Sequence, residues 1–495
     1  MSVNSLGLAR PSSIPLTLVT LILAVLTTGL PVLAHLANPA IGVAICLVLG
    51  ALVANFAAPT LPPVLVFSYL FQNLFVSLAS PQIVELSDFN AIRGYNFLLT
   101  AAAWLVVIIH YWTDRASFDR GFRTVMNVSF WALGLVALYF IIGLQFDLMS
   151  AVIYLRNIVV PFMLFNIFAV VGVRFRLTMH ATFLVMAYAL VAYCYAELFF
   201  QEPLLRLVNG DVYLHLGYKQ WHDSGVWIKQ MQDSGRVFRS EFDALEIEFL
   251  NTPFLADLGI KFTRLQGPNF QSVSCAYAIG FFSLIFAARG GRLYWLFALP
   301  LLFIIGSKGA LAMVLFSMTG FAASRVLGGR WLFWPYVAAL AAYTVAGIMI
   351  GMQAGDFHLI GLLAGFEEFL RNPLGHGLGV GGNLSVNHAL IDWSRSQQLG
   401  HTDVAVESAV GVLLAEMGIA GVALLACIGW IGWRAWTLHL QVRDALLGVA
   451  ALALMIVLFN GVFQESALFS PLALGLIMGL TGLAVGRAFR PKAFG

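Results

Sequence analysis

Charge is scarce in this chain. Only 10% of its 495 residues are Asp, Glu, Lys or Arg, against roughly 25% in a soluble domain. So few charges could not keep a soluble surface of this size hydrated. A cytosolic enzyme, a disordered chain and a nucleic-acid binder are excluded. The net charge of +3 is too small to imply an acidic partner. Cysteine is equally sparse. Cys46, Cys194, Cys275 and Cys427 each lie in an apolar run, and none is near another in sequence. That spacing gives neither a disulfide framework nor a metal pattern, so packing roles are expected. The ten histidines show no metal spacing. No HExxH, GxSxG or Walker-type lysine pattern occurs, and internal repeats and low-complexity tracts are absent. Without two matching interrupted helices, a transporter of inverted repeats lacks its usual sign.

Apolar sequence is what abounds, at 60% of residues. Runs of membrane-spanning length recur from end to end. They predict an all-α, polytopic helical membrane protein with about 12–14 transmembrane helices, in a single integral membrane domain over 1–495. Fourteen candidate spans fall near 14–35, 38–57, 61–79, 94–112, 126–145, 153–172, 179–200, 268–287, 293–306, 308–324, 331–352, 406–430, 445–463 and 468–486. The first contains Pro31 and runs into Val32-Leu33-Ala34, which resembles a cleavage site. Its length favours an uncleaved first span.

The few charges are partitioned. Arg115, Arg120 and Arg123 share one short link; Arg174 and Arg176, Arg289 and Arg292, Arg325 and Arg330, and Arg434 and Arg443 share four more. With Arg10, Arg487, Arg490 and Lys492 these make 15 of the 27 basic residues, yet the same segments hold only Asp114, Asp119 and Asp444 among the 24 acids. Basic short loops stay in the cytoplasm. Both termini are therefore expected there, in agreement with the parity of fourteen spans. Two long loops, 201–267 and 353–405, then face the outside, which in a bacterium is the periplasm. Long loops are where function concentrates. The first carries Trp221 and Trp227, and Glu241–Leu250 places Phe242, Leu245 and Phe249 on one helical face. A helix lying on the membrane surface is expected there.

Between Arg292 and Arg325 the chain must cross outward and return. About 32 residues give about 48 Å of helix, where two crossings need about 60 Å. The turn Gly306-Ser307-Lys308-Gly309 is therefore expected below the outer surface, where Lys308 faces a cavity or a partner. A tilted hairpin with a snorkelling lysine is the alternative.

Three polar segments stand out. Arg264-Leu265-Gln266-Gly267-Pro268-Asn269 precedes a span, and Gly306-Ser307-Lys308-Gly309-Ala310 forms a turn. The third begins as Asn372-Pro373-Leu374-Gly375-His376-Gly377-Leu378-Gly379 and leads to Glu407, Glu416, Gly418 and Gly421. Gly377, Gly379 and Gly382 also spell a dinucleotide fingerprint, but no buried strand precedes them, so that match is accidental. In order and placement the three segments resemble the O-antigen ligase and polymerase superfamily of bacterial polysaccharide assembly. Members show Arg-x-x-Gly before a span, a Ser-Arg or Ser-Lys turn, a Pro-x-x-Gly-x-Gly loop and a span with Glu-x-Gly-x-x-Gly. The likeness covers about residues 260–425.

That resemblance implies a membrane glycosyltransferase architecture of the GT-C-like kind. It implies an enzyme that transfers glycans from an undecaprenyl-diphosphate-linked oligosaccharide at the periplasmic face of the inner membrane. No metal or nucleotide cofactor is needed, because the carrier diphosphate is already the leaving group. Membrane lipid, a chain-length regulator and other polysaccharide-assembly proteins are the partners it admits. A leaving diphosphate needs a cation. Arg264 and Lys308 are the first candidates, with Arg371 and Arg156 behind them. Gly375, Gly377 and Gly379, with Gly381 and Gly382, could present amides to an anion or a sugar; a plain flexible loop is the alternative.

The acceptor hydroxyl needs a base. Ligases of the superfamily commonly carry a histidine nine residues before the acid of Glu-x-Gly. Here Glu416 is that acid and Glu407 stands nine before it, so Glu407 is the candidate in histidine's place. His401 and His388 in the same loop could serve instead. Glu416, Glu197 and Glu465 are expected to be paired structural acids. The departure from the ligase pattern favours a polymerase of lipid-linked repeat units, making exopolysaccharide, capsule or O-antigen. A ligase to lipid A core or protein, and a non-enzymatic transporter or flippase, are the alternatives.

Overall fold

Inside a bilayer no water satisfies backbone N–H and C=O groups, so apolar runs close their hydrogen bonds within helices. The computed structural model describes residues 14–176, 180–223, 246–248, 261–289, 291–391 and 393–491. The chain is an all-α polytopic membrane protein. Among the described residues, twelve helical segments are long and apolar enough to cross a membrane, and two shorter apolar helices accompany them.

The helices begin with α1 (Ile14–Ala37), α2 (Pro39–Phe56), α3 (Leu61–Ala79), α4 (Leu86–Arg93), α5 (Tyr95–Thr113), α6 (Arg120–Gly143) and α7 (Leu148–Arg174). Next come α8 (His180–Phe199), α9 (Gln201–Leu207), α10 (Gly210–Asp223), α11 (Ser272–Arg289), α12 (Arg292–Ile305), α13 (Lys308–Leu327) and α14 (Gly329–Ala354). The rest are α15 (Phe357–Arg371), α16 (Trp393–Leu399), α17 (Ala409–Met417), α18 (Ile419–Val442), α19 (Ala445–Asn460), α20 (Glu465–Phe469) and α21 (Leu476–Ala488). Thirteen of the fourteen expected spans correspond to a helical segment, α12 and α19 being the short ones, while 406–430 is divided between α17 and α18 and the span there is Ile419–Val442.

The long loops differ from expectation. The first contains α9 and α10, and the second contains α15 and α16. A surface helix is expected over Glu241–Leu250, and the three described residues of that stretch are not helical. Glu246–Glu248 is a strand, β1, paired antiparallel with β2, Lys261–Thr263, so that Ile247 stands opposite Phe262. Its Glu-Ile-Glu alternation has the period of a strand, and the helical reading of Phe242, Leu245 and Phe249 overrode it. The remainder of 241–250 lies outside the described residues, as do Trp227, Arg10 and Lys492.

The helices form two compact units. The first draws on described residues of Met1–His110, Phe175–Phe282 and Leu293–Ser307; the second draws on Tyr111–Arg174, Ser283–Arg292 and Lys308–Gly495. In the first unit α1 packs on α2 and α3. Asn38 caps α2 by accepting from Ala40 N at 2.8 Å, with Pro39 at the first helical position.

In the second unit α7 and α21 pack most closely. A Cβ on Gly482 would lie 2.3 Å from the Phe165 carbonyl oxygen, and one on Gly486 2.2 Å from that of Ala169. Lipid offers apolar helices no hydrophobic reason to associate, and a seam of small residues supplies close van der Waals contact instead. The three acids of the basic links have local tasks. Asp114 pairs with Arg174 at 2.7 Å, Asp444 with Arg487 at 3.5 Å, and Asp119 caps α6.

Candidate functional site

The span expected at 406–430 is broken. Ser408 caps α17, its Oγ accepting from Gly411 N at 3.2 Å. Gly418, at φ 55° and ψ −129°, then ends that helix before α18 begins. The break admits another piece of chain. Ile419 N donates to the Pro373 carbonyl at 2.9 Å, His376 N to Ala415 O at 3.2 Å and Gly377 N to Glu416 O at 2.8 Å. Residues 373–377 thus satisfy carbonyls that a continuing helix would have used. A Cβ at Gly418 would stand 2.0 Å from Pro373 O, so the junction requires glycine.

The glycine segment then threads between α6, α7 and α17. Leu378 N donates to Tyr139 O at 3.1 Å, and Tyr139 Oη donates to Leu374 O at 2.7 Å. Gly379 N and Gly381 N both donate to Glu416 Oε1, at 2.8 and 3.2 Å. Gly382 N reaches Ala405 O at 2.7 Å and Asn383 N reaches Glu465 Oε2 at 2.8 Å. Tyr154 Oη donates to Glu465 Oε1 at 2.6 Å and accepts from Leu384 N at 3.1 Å.

For Gly375, Gly377 and Gly379 the two expectations are amides open to a ligand and a plain flexible loop. Instead their amides are occupied, that of Gly375 by Asn372 O, and Gly377 and Gly379 are buried. The two buried acids, Glu416 and Glu465, hold a loop rather than each other. A buried amide left without an acceptor is costly, which is why carboxylates lie beneath this loop.

The end of the loop sets Glu407. Asn383 Oδ1 accepts from Glu407 N at 2.8 Å, and Glu407 O accepts from Glu465 N at 2.9 Å. Between these bonds Glu407 is held at φ 61°, a left-handed conformation that costs a non-glycine residue about 1 kcal/mol or more. Its carboxylate Oε2 lies 3.2 Å from His358 Nδ1. His358 is the second residue of α15, whose cap Asp356 accepts from His358 N at 2.9 Å. Two glycines bring α15 against the α17 segment. A Cβ on Gly361 would meet Val406 O at 1.8 Å, and one on Gly365 would meet Gly411 O at 2.2 Å. The side chains of Glu407 and His358 remain 27% and 39% exposed, so a solute can reach both.

The pair shifts both protonation equilibria. Burial works to raise Glu407, but the bond and charge of His358, with His388 and Asn383, leave it below the ordinary carboxylate range. Burial works to lower His358, but Glu407 and Asp356 leave it above the ordinary imidazole range. His388 is lowered by burial, partly offset by the Glu407 charge. His388 therefore belongs to the surroundings of Glu407.

His401 does not. Its Nε2 lies 3.2 Å from Glu367 Oε2. Arg371 is exposed, 4.0 Å from Glu367 and 3.8 Å from Glu368, and His376 binds Glu368 at 2.8 Å. Lys308 is exposed at the first turn of α13. Arg156 is half-buried on α7, its Nε donating to Asn157 Oδ1 at 3.2 Å.

The first unit holds Arg264 in a separately built turn. Glu197 accepts from Gln266 N at 2.7 Å and Gly267 N at 2.8 Å, one on each carboxylate oxygen. Asn73 Nδ2 donates to Asn269 O at 2.7 Å. Gly267, at φ 67°, sits over Cys275, whose Sγ a Cβ would meet at 2.3 Å. Cys194 Sγ lies 3.5 Å from Cys275 Sγ, a proximity their sequence separation hides. Arg264 Nε donates to Ile305 O at 3.3 Å, and burial lowers its pKa. Among the described residues no three His, Cys, Asp or Glu side chains gather as metal ligands.

Comparison with protein-family models and with curated proteins gave no match. The geometry therefore stands by itself. His358 is the site residue that sequence reading missed. It lies 49 positions before Glu407 in a stretch read as loop, and no spacing rule connects the two.

Proposed function

We propose that the chain is a polymerase of undecaprenyl-diphosphate-linked oligosaccharide repeat units, producing exopolysaccharide, capsule or O-antigen. It would act at the periplasmic face of a bacterial inner membrane, with both termini in the cytoplasm. The Glu407–His358 pair supports this reading most directly. In the transfer, an acceptor hydroxyl oxygen attacks the anomeric carbon of the donor sugar. The bond from that carbon to the diphosphate oxygen breaks, and undecaprenyl diphosphate leaves with the electron pair. The hydroxyl proton goes to Glu407, an accessible carboxylate kept ionised by His358.

Arg264 is assigned to the leaving diphosphate. Its guanidinium is fixed through Nε on a carbonyl, and no described acid shifts its pKa. Lys308 is assigned a second cationic contact. Arg371 is the weakest candidate, because Glu367 and Glu368 flank it. The glycine loop acts by placing Glu407 and not through its own amides.

One observation supports a second reading. α15 brings an imidazole to Glu407, and a histidine is what the ligase pattern places there. A ligase to lipid A core or protein is therefore the alternative.

The test is deletion of the gene, complementation with variants, and sizing of surface and lipid-linked glycans. Cells carrying Glu407→Gln or Arg264→Ala are expected to keep the protein in the membrane but to hold single repeat units. Normal chains from both variants would overturn the assigned roles. Full-length polymer stranded on its carrier in the deletion would indicate a ligase. Repeat units accumulating on the cytoplasmic leaflet would indicate a flippase.

A further inference from the structure

Away from Glu407, four helix ends of the second unit line a cavity of about 360 Å³. The last turns of α13 contribute Phe321 and Arg325, and α14 contributes Gly329. The end of α18 contributes His439, Leu440 and Arg443, and the start of α19 contributes Ala445. This volume lies within the range of small-molecule sites, about 300–1,000 Å³. No acidic residue is in the lining. The nearby Asp444 carboxylate is committed elsewhere, capping α19 through Leu446 N at 2.8 Å and pairing with Arg487. His439 Nδ1–H donates to the Asp444 carbonyl at 2.7 Å. Arg325 stacks on Phe321, its Cζ 4.7 Å from the ring centroid, and Arg443 stands at the left-handed cap of α18.

A cation near a helix C-terminus is favoured by the helix dipole alone. That does not explain why two arginines border one cavity that contains no acid. The surroundings identify the kind of anion. Val326, Leu327, Trp331 and Trp334 are 84%, 72%, 78% and 65% exposed, and Arg330 lies over the Trp331 ring. Exposed tryptophans beside arginines are the pattern of a membrane–water boundary. A soluble anion has no use for such a rim, but acyl chains do.

We propose that this cavity binds the phosphate headgroup of an anionic phospholipid between Arg325 and Arg443, with the acyl chains along the adjoining apolar surface. Basic pockets between transmembrane helices recognise lipid phosphates in this way.

The test uses purified full-length protein exchanged into detergent with phosphatidylglycerol, cardiolipin or phosphatidylcholine, and counts retained lipid by native mass spectrometry. Wild type is expected to retain the two anionic lipids over phosphatidylcholine. Arg325→Gln/Arg443→Gln is expected to lose that preference by about tenfold, whereas Arg120→Gln, on another basic link, keeps it. Equal retention by wild type and the double variant, or no preference for anionic lipid, would overturn the site. Retention abolished by inorganic phosphate, with phosphate bound in its place, would assign the cavity to a soluble anion and overturn the lipid. If the double variant fails to fold, the wild type still decides. Phosphatidylglycerol retention must fall as salt rises, and a salt-independent value contradicts an arginine clamp.

Discussion

Glu407 combines three properties that rarely coincide: a left-handed backbone, a half-open carboxylate and a histidine at 3.2 Å. The backbone is fixed by bonds on both its N–H and its carbonyl, so the strain buys direction for the side chain. A lowered Glu407 pKa means that the carboxylate persists as pH falls past the ordinary glutamate range. A raised His358 pKa means that the imidazolium persists as pH rises past the ordinary histidine range. The ion pair is therefore present between the two values. It is lost as pH falls through the lowered Glu407 pKa, or rises through the raised His358 pKa. Transfer activity should follow the acid limb alone, because above the His358 pKa the Glu407 carboxylate stays ionised. In His358→Asn the acid limb should move to higher pH, because burial of Glu407 is then less opposed. A pH–rate profile measures this, and an unchanged acid limb would show that His358 does not act on Glu407.

At the scale of elements, the break between α17 and α18 and the glycine segment are one construction. The helix stops at Gly418, residues 373–377 dock on its open end, and Glu416 anchors the next amides. Glu416→Ala would leave the buried amides of Gly379 and Gly381 without acceptors, costing about 1–3 kcal/mol for each. Glu416→Gln keeps one acceptor oxygen and should cost less. Gly379→Ala should destabilise by about 1–3 kcal/mol from its φ of 89° alone, and its Cβ would also stand 2.4 Å from Ala151 N. Thermal unfolding in detergent ranks these variants, and a Glu416→Ala protein as stable as wild type would contradict the anchoring role.

Here too the limits of sequence reading have a physical origin. Spans are legible because one-dimensional hydrophobicity decides them, and thirteen of fourteen correspond to a helical segment; the break at Gly418 that divides 406–430 has no signal in hydrophobicity. Gly375, Gly377 and Gly379 were visible as unusual, but whether their amides face a ligand or a buried glutamate depends on packing. α15 was hidden because its polar termini and moderate apolarity resemble a loop. With it went His358, whose nearness to Glu407 comes from glycine contacts between two elements. Strand β1 is hard to read because a three-residue alternation is too short to outweigh the weak helical pattern of the ten residues around it.

Over the whole molecule, charge is segregated into basic links and acid-bearing loops, while the membrane segments contain few charges. The acids that do lie near the span ends have backbone partners: Glu197 holds the Arg264 turn, and Glu416 and Glu465 hold the glycine loop. Both long loops thus carry residues placed by carboxylates in or beside neighbouring helices. The most direct measurement of the proposed activity reconstitutes the purified protein in vesicles, supplies an undecaprenyl-diphosphate-linked oligosaccharide repeat on the outer leaflet, and sizes the products. Wild type should give a ladder of lengthening chains with release of undecaprenyl diphosphate, and Glu407→Gln should give none. Repeat units that cross the bilayer without lengthening, or an equal ladder from Glu407→Gln, would contradict polymerisation at Glu407.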